Sequence, residues 1–152
     1  SQFDQEVMAA LLRSKPVMTI PGVEILDSAP ADIETLVVGW LMPMYRTSVS
    51  RRAVDPYPFL LIRQLATKED IEESAADPLV QVDILCEKNL GEDAARDVKD
   101  RVHARMLLLG RYLETDGTID WMKVFESPRR WPHENDQIIR YTARYQFGQT
   151  YD

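Results

Sequence analysis

The sequence predicts an α+β fold: a four-stranded, mostly antiparallel sheet packed by a long helix and a shorter helix on one face, with an extended N-terminal arm. Residues 79–87 and 137–146 alternate apolar and polar side chains, as half-buried strands do. Residues 91–114 repeat apolar side chains every three or four positions, which is the helical period. The order helix, two strands, long helix, two strands favours an antiparallel sheet covered by helices.

The first part of the chain is predicted to differ from the rest. Residues 1–29 form an N-terminal helix and an extended arm, and residues 30–152 form a single α+β domain. Phe3, Val7 and Leu11 have the spacing of a short amphipathic helix, and several prolines interrupt regular structure after it.

No segment has the composition of a secretory signal or a membrane span. The first six residues are acidic and polar, whereas a secretory signal begins with basic residues and continues with apolar ones. The longest apolar run, about residues 36–44, is far shorter than the roughly 20 residues that cross a bilayer. We therefore expect an intracellular protein.

The first half of the domain is predicted to contain one helix and two strands. Residues 31–42 form the helix, because a proline precedes them, acids lie in the first turn and Pro43 ends the pattern. Residues 56–66 contain a short continuous apolar run that is typical of a buried strand. An acidic loop at 67–77 separates it from the alternating strand at 79–87.

The second half is predicted to contain the long helix and two more strands. The helix covers residues 91–114 and is followed by a turn at Asp116-Gly117. Residues 119–126 are predicted to be a strand, residues 127–136 an irregular connection, and residues 137–146 the closing strand.

Composition excludes several classes of function. The net charge of −7 argues against attraction of the whole chain to nucleic acid, and residues 63–100 hold eleven acidic against five basic side chains. Phosphate-cradling glycine motifs and calcium-loop spacing are absent from the sequence, so no cofactor and no metal are predicted. The single cysteine, Cys86, cannot form an intramolecular disulfide and is interpreted as a small core residue.

The two histidines give weak indications of catalysis. His103 lies on the long helix without a second metal-binding residue one turn away, so it is interpreted as a residue at the helix surface or boundary. His133 and Glu134 lie in the predicted connection, where they are candidates for the acid–base pair of a hydrolase. Because no nucleophile adjoins them, the sequence favours a protein that is not an enzyme.

Two segments have the composition of contact surfaces. The first contains Tyr45, Arg46, Arg51 and Arg52, in a basic loop that follows the helix predicted at residues 31–42. The second contains the candidates Arg129, Arg130, Trp131 and His133. Tryptophan and arginine are enriched where proteins bind each other. The alternatives are an ordinary capped helix with a mobile loop for the first segment, and a tryptophan folded over the sheet edge for the second.

Several motifs resemble tail terminator proteins of long-tailed phages, especially phages of actinobacteria. They are a Val-x-Val-Asp-Ile strand at 80–84, an Ala-Ala-Arg-Asp helix segment at 94–97, a proline-tryptophan loop, and an Arg-Tyr-x-Ala-Arg-Tyr strand at 140–145. The resemblance covers roughly residues 30–148, and none of its motifs is a catalytic signature. Residues 1–29 lie outside it.

The resemblance implies a structural protein of the virion, assembled in the host cytoplasm. Its expected form is a hexameric ring that caps the head-proximal end of the tail tube and joins the tail to the head connector. The implied partners are other copies of the chain, the tail tube protein and the connector's stopper protein, while genome DNA passes through the lumen without specific binding. A small cellular adaptor with the same fold is the alternative from another class, beside the hydrolase.

Overall fold

The computed structural model describes residues 32–65 and 75–150. The helices are α1 (Ile33–Leu41) and α2 (Glu92–Asp116), and a 3-10 turn spans Lys88–Leu90. The strands are β1 (Arg46–Ser48), β2 (Phe59–Leu65), β3 (Ala75–Ala76), β4 (Leu79–Glu87), β5 (Trp121–Trp131) and β6 (Ile138–Thr150). The predicted N-terminal helix and arm, and most of the predicted acidic loop, lie outside the described residues. The α+β class is confirmed.

The sheet contains the four predicted strands and additional short ones. Its order is β1-β2-β4-β6-β5, and β3 pairs with the end of β6. The pairs β2–β4, β4–β6 and β5–β6 are antiparallel, but β1 runs parallel to β2. The sheet is therefore mixed, where the sequence predicted four mostly antiparallel strands. A three-residue strand is too short for a period-two pattern to be visible in the sequence.

One face of the sheet forms the core under the helices. Val80 pairs with Tyr145 and Val82 with Ala143, so the apolar residues of β4 and β6 lie side by side, and all four are fully buried. Such alternation places every second side chain on the same face of a strand. Cys86 belongs to this buried set, as predicted, and burial raises the pKa of its thiol to about 11. At neutral pH the thiol is therefore protonated.

The helices are fastened to each other by a buried arginine. Arg105 of α2 is completely buried and donates from Nε and Nη2 to the carbonyl oxygen of Trp40 in α1, at 3.1 and 2.8 Å. The indole Nε1 of Trp40 donates in return to the Arg105 carbonyl oxygen at 2.8 Å, and the guanidinium lies 4.2 Å from the indole ring centre. Helix α2 ends at Gly117, whose φ of 82° is the left-handed conformation that favours glycine.

The C-terminal strand pair differs most from the sequence prediction. Residues 127–131, predicted as part of an irregular connection, belong to β5, which pairs with β6 as far as Trp131. The register shifts between Val124 and Glu126 and again between Glu126 and Arg129. Each shift is an extra residue in β5, that is, a β-bulge, and bulges allow a strand to contain residues that look like loop residues in the sequence.

Within the described residues, no helix is long and apolar enough to cross a membrane.

Candidate assembly surfaces

The first predicted segment folds around one carboxylate. Asp55 has a side chain that is only 5% exposed, and its Oδ2 accepts a hydrogen bond of 2.8 Å from the backbone N–H of Arg52. Its Oδ1 lies 3.5 Å from Nη2 of Arg46 and 3.9 Å from Nη2 of Arg52. Arg51 donates to the Asp55 carbonyl oxygen at 2.6 Å. We call Tyr45, Arg46, Arg51, Arg52 and Asp55 the first arginine surface.

The charges of the first arginine surface are unequally exposed. Hydrogen bonding from the Arg52 N–H, followed by the positive charges around it, lowers the pKa of Asp55. The guanidinium of Arg51 lies 4.1 Å from the ring centre of Tyr57 and is held inside the loop. The side chains of Arg46 and Arg52 are 53% and 73% exposed. Two cations therefore face solvent around a single buried carboxylate.

The two arginines of the second predicted segment contact different parts of the fold. Arg130 forms two hydrogen bonds, of 2.8 and 2.7 Å, with the carboxylate of Glu92 at the start of α2, and this contact raises the Arg130 pKa. Arg129 pairs with Glu126 at 2.7 Å and lies 4.6 Å from the ring centre of Trp131. We call Glu126, Arg129, Arg130 and Trp131 the second arginine surface. Arg129, whose side chain is 61% exposed, is its most accessible charge.

His133 and Glu134 line a pocket on the sheet face opposite the helices. The pocket has a volume of about 270 Å³. Its lining residues are Leu61, Arg63, Asp83, Leu85, Pro132, His133, Glu134 and Arg140. His133 is turned toward its own loop, where its Nδ1 accepts the Asn135 N–H at 3.0 Å. The candidate acid–base pair is thus adjacent to a pocket, but no serine, threonine or cysteine side chain lines it.

Asp83 is the centre of a polar network at the base of the pocket. The residue is 2% exposed, and its Oδ1 accepts hydrogen bonds from Thr142 Oγ1 at 2.7 Å and from Arg140 Nη2 at 3.1 Å. Gln81 donates to both carboxylate oxygens at 3.2 Å and accepts a hydrogen bond from Arg144. The buried charge of Asp83 is therefore paired and fully hydrogen-bonded, as a charge at this depth requires.

The register places the two arginine surfaces at opposite edges of the sheet. One cross-strand row joins Arg46 of β1, Phe59 of β2, Leu85 of β4, Arg140 of β6 and Trp131 of β5. With strands about 4.8 Å apart, the four steps separate the two ends of the row by roughly 19 Å. The two predicted surfaces are therefore separate sites at opposite edges of the sheet. Both lie at the same level along the strands, because one cross-strand row joins them.

Two residues outside the predicted contact segments, Asp83 and Phe125, have surroundings that the sequence does not reveal. Asp83 was predicted on the polar side of its strand, and only the pairing with Arg140 and Thr142 shows why it is buried. Phe125 is 60% exposed on β5, beside the first register shift. A phenylalanine inside a predicted strand is ordinarily assigned to a core, so no pattern in the sequence distinguished it.

No protein-family model matches the chain, and no curated protein matches it. In the part of the chain that the structure describes, no group of three or more His, Cys, Asp and Glu side chains is arranged to hold a metal ion.

Proposed function

We propose that the chain is a subunit of a six-membered ring that caps the head-proximal end of a phage tail tube and joins the tail to the head connector. The proposal begins from the resemblance to tail terminator proteins. Two of the motifs that carry this resemblance contact each other across the sheet: Asp83 of the Val-x-Val-Asp-Ile strand accepts hydrogen bonds from Arg140 and Thr142 of the closing strand.

The observation that carries the proposal is the placement of the two arginine surfaces at opposite edges of the sheet. In a closed ring, each subunit uses two different surfaces, one toward each neighbour, and the two must be complementary. The first arginine surface adjoins β1 and the second belongs to β5, which are the two ends of the row through Arg46 and Trp131. The placement of the two surfaces supports a ring, because each edge can face a different neighbour.

The surfaces have the composition of an interface that forms only when its partner is present. On each of them an exposed cation lies beside a less exposed carboxylate: Arg129 lies between Glu126 and the Trp131 ring, and Arg52 lies near Asp55. Mixed polar and aromatic surfaces let a subunit stay dissolved until the tube end presents the complementary groups. The excess of acids in the chain, −7 at neutral pH, suits a lumen through which DNA slides without adhering.

The direct test is capping of tail tubes. The tail tube protein of the same phage is polymerised with and without the full-length protein, and the tubes are imaged by electron microscopy. We expect a ring at one end of each tube and shorter tubes, because a capped end no longer grows. Tubes that grow to the same length with both ends bare contradict the proposal.

Charge reversals at the two edges refine this test. Arg52→Glu and Arg129→Glu each remove an exposed cation from one arginine surface, and we expect each to reduce capping about tenfold or more. The matched control is Arg96→Glu on α2, whose side chain is 58% exposed and belongs to neither surface. Circular dichroism verifies that each variant is folded. If the control reduces capping as much as the edge variants do, the two arginine surfaces are not the contact surfaces of the ring.

A further inference from the structure

The pocket beside Asp83 has the size and lining to hold one aromatic side chain. An enclosed apolar cavity of about 150 Å³ accepts benzene, so a pocket of about 270 Å³ is large enough for a phenyl ring. Leu61 and Leu85 supply apolar contact, and the guanidinium groups of Arg63 and Arg140 lie beside them. Guanidinium groups attract the faces of aromatic rings. Arg63, with a side chain 57% exposed, has only a 3.9 Å contact to Asp83.

Phe125 is an aromatic side chain that the fold turns toward solvent. It lies between Val124 and Glu126, where β5 contains one more residue than β6, and it is 60% exposed. Its neighbour Val124 is 37% exposed, so the bulge presents two adjacent apolar residues. Bulges commonly redirect a side chain for a function, and exposing a phenyl ring has a cost in water that a partner would remove.

One exposed charge near Phe125 and one exposed charge on the pocket wall have opposite signs. Lys123, two residues before Phe125, is exposed and lies over the Trp121 ring. Glu134 is an exposed carboxylate on the pocket wall, and no described residue forms an ion pair with it. When an aromatic side chain enters the pocket, a cation beside it on the same strand meets this carboxylate.

From this complementarity we infer that Phe125 of one copy inserts into the pocket of the next copy, with Lys123 directed to Glu134. The inference rests on the proposed ring and specifies one of its contacts. Phe125 does not line the pocket of its own chain, and seven residue steps, or roughly 20 Å of strand, separate it from Pro132 on the pocket wall. A protrusion and a cavity at separate places on one chain produce a head-to-tail interface, which closes into a ring when its rotation permits.

The first experiment measures association of full-length variants by light scattering across concentration, alone and with tail tubes. We expect Phe125→Ala and Glu134→Lys each to weaken association about tenfold or more, and the pair Lys123→Glu with Glu134→Lys to recover most of the loss. Phe125, Lys123 and Glu134 are exposed, so the variants should fold as the natural chain does. Leu107→Ala, on the solvent side of α2, is the matched control.

The second experiment mixes two deficient variants. Phe125→Ala retains the pocket, and Leu61→Trp fills it while retaining Phe125. At a concentration at which the natural chain is assembled and each variant alone is monomeric, their mixture should form a two-subunit species and nothing larger, because only one intact contact joins them. Glu134→Lys replaces Leu61→Trp if the latter misfolds.

The outcomes of these two experiments distinguish failure of the Phe125 contact from failure of the proposed ring. If the natural chain forms a six-subunit species and Phe125→Ala and Glu134→Lys do so with equal affinity, the inference is wrong while the proposed ring stands. If the natural chain is monomeric both alone and with tubes, both are wrong. If the variants lose tube binding while the natural chain binds tubes as a monomer, Phe125 contacts the tube protein and the inference about a second copy is overturned.

Discussion

Asp83 is the centre of the polar network on the sheet face opposite the helices. Three side chains direct donors at its carboxylate, and the residue is almost completely buried. Alternation along the strand predicted that Asp83 faces away from the helices, and this is correct. Its burial could not be predicted, because it depends on side chains more than fifty residues away, such as Arg140 and Thr142, that reach it only through strand pairing.

Removing the charge of Asp83 should destabilise the folded chain. In Asp83→Asn, the guanidinium of Arg140 loses its anionic partner, and a buried donor network is left partly unpaired. We expect the free energy of unfolding in urea to fall by about 2 to 4 kcal/mol. Glu134→Gln, an exposed change in the same pocket, should stay within about 0.5 kcal/mol of the natural chain. Equal stability of Asp83→Asn and the natural chain would mean that the network contributes nothing.

Asp55 should make the stability of the chain depend on pH. Its pKa is lowered in the folded chain, first by the Arg52 N–H and then by the surrounding arginines. A lowered pKa stabilises the folded chain above the unfolded value, which is about 3.9, and that stabilisation is lost as the pH falls through the folded value. Asp55→Asn should therefore differ most from the natural chain at pH 6 to 7.

The measurement for Asp55 is urea unfolding of both proteins at several pH values. The difference between their free energies of unfolding should begin to shrink below about pH 4, where the unfolded carboxyl takes up its proton, and should disappear as the pH falls through the lowered pKa of the folded carboxyl. Asp136→Asn, in the exposed loop before β6, controls for the general effect of removing an acid. A difference that is constant from pH 7 to pH 3 would contradict the role assigned to the Asp55 charge.

At the scale of elements, long periodic segments were predictable and short or bulged ones were not. Helix α2 and strand β4 lie within a residue or two of their predicted bounds, because each repeats its apolar period over many residues. Strand β1 has three residues and was missed. The later part of β5 was interpreted as an irregular connection because Ser127 and Pro128 interrupt the alternation. The structure includes them in the strand through a register shift.

The contact between α1 and α2 offers a test at this scale. Arg105 is completely buried, although charge alone would place an arginine on the solvated face of a helix. Arg105→Lys should lower the free energy of unfolding by about 1 to 3 kcal/mol, because an ammonium group cannot donate from two nitrogens to the Trp40 carbonyl oxygen and stack on its ring. The near-ultraviolet circular dichroism signal of Trp40 should also decrease in this variant.

The control for Arg105 is Arg101→Lys, one turn earlier on the same helix. Arg101 is 55% exposed and pairs with Asp97 on the surface. Lysine can maintain such a surface pair, so this change should leave stability within about 0.5 kcal/mol. If both variants behave alike, the buried guanidinium does not fasten α1 to α2.

At the scale of the whole molecule, the sequence identified candidate contact segments but not their arrangement. Arginines and aromatic residues near 45–52 and 129–133 are visible in the sequence, whereas their positions at opposite edges of one sheet follow from the row that joins Arg46 to Trp131. The pocket could not be predicted because β2, β4, β6 and the loop after β5 each contribute to its walls. Pairing between distant segments creates both features.

Assembly through these opposite edges is the central claim, and the mass of the purified full-length protein tests it most directly. Light scattering across concentration, repeated with the tail tube protein of the same phage, measures that mass. A six-subunit species, alone or in the presence of tubes, is the predicted result. A chain that is monomeric at every concentration and does not associate with tubes would contradict the account.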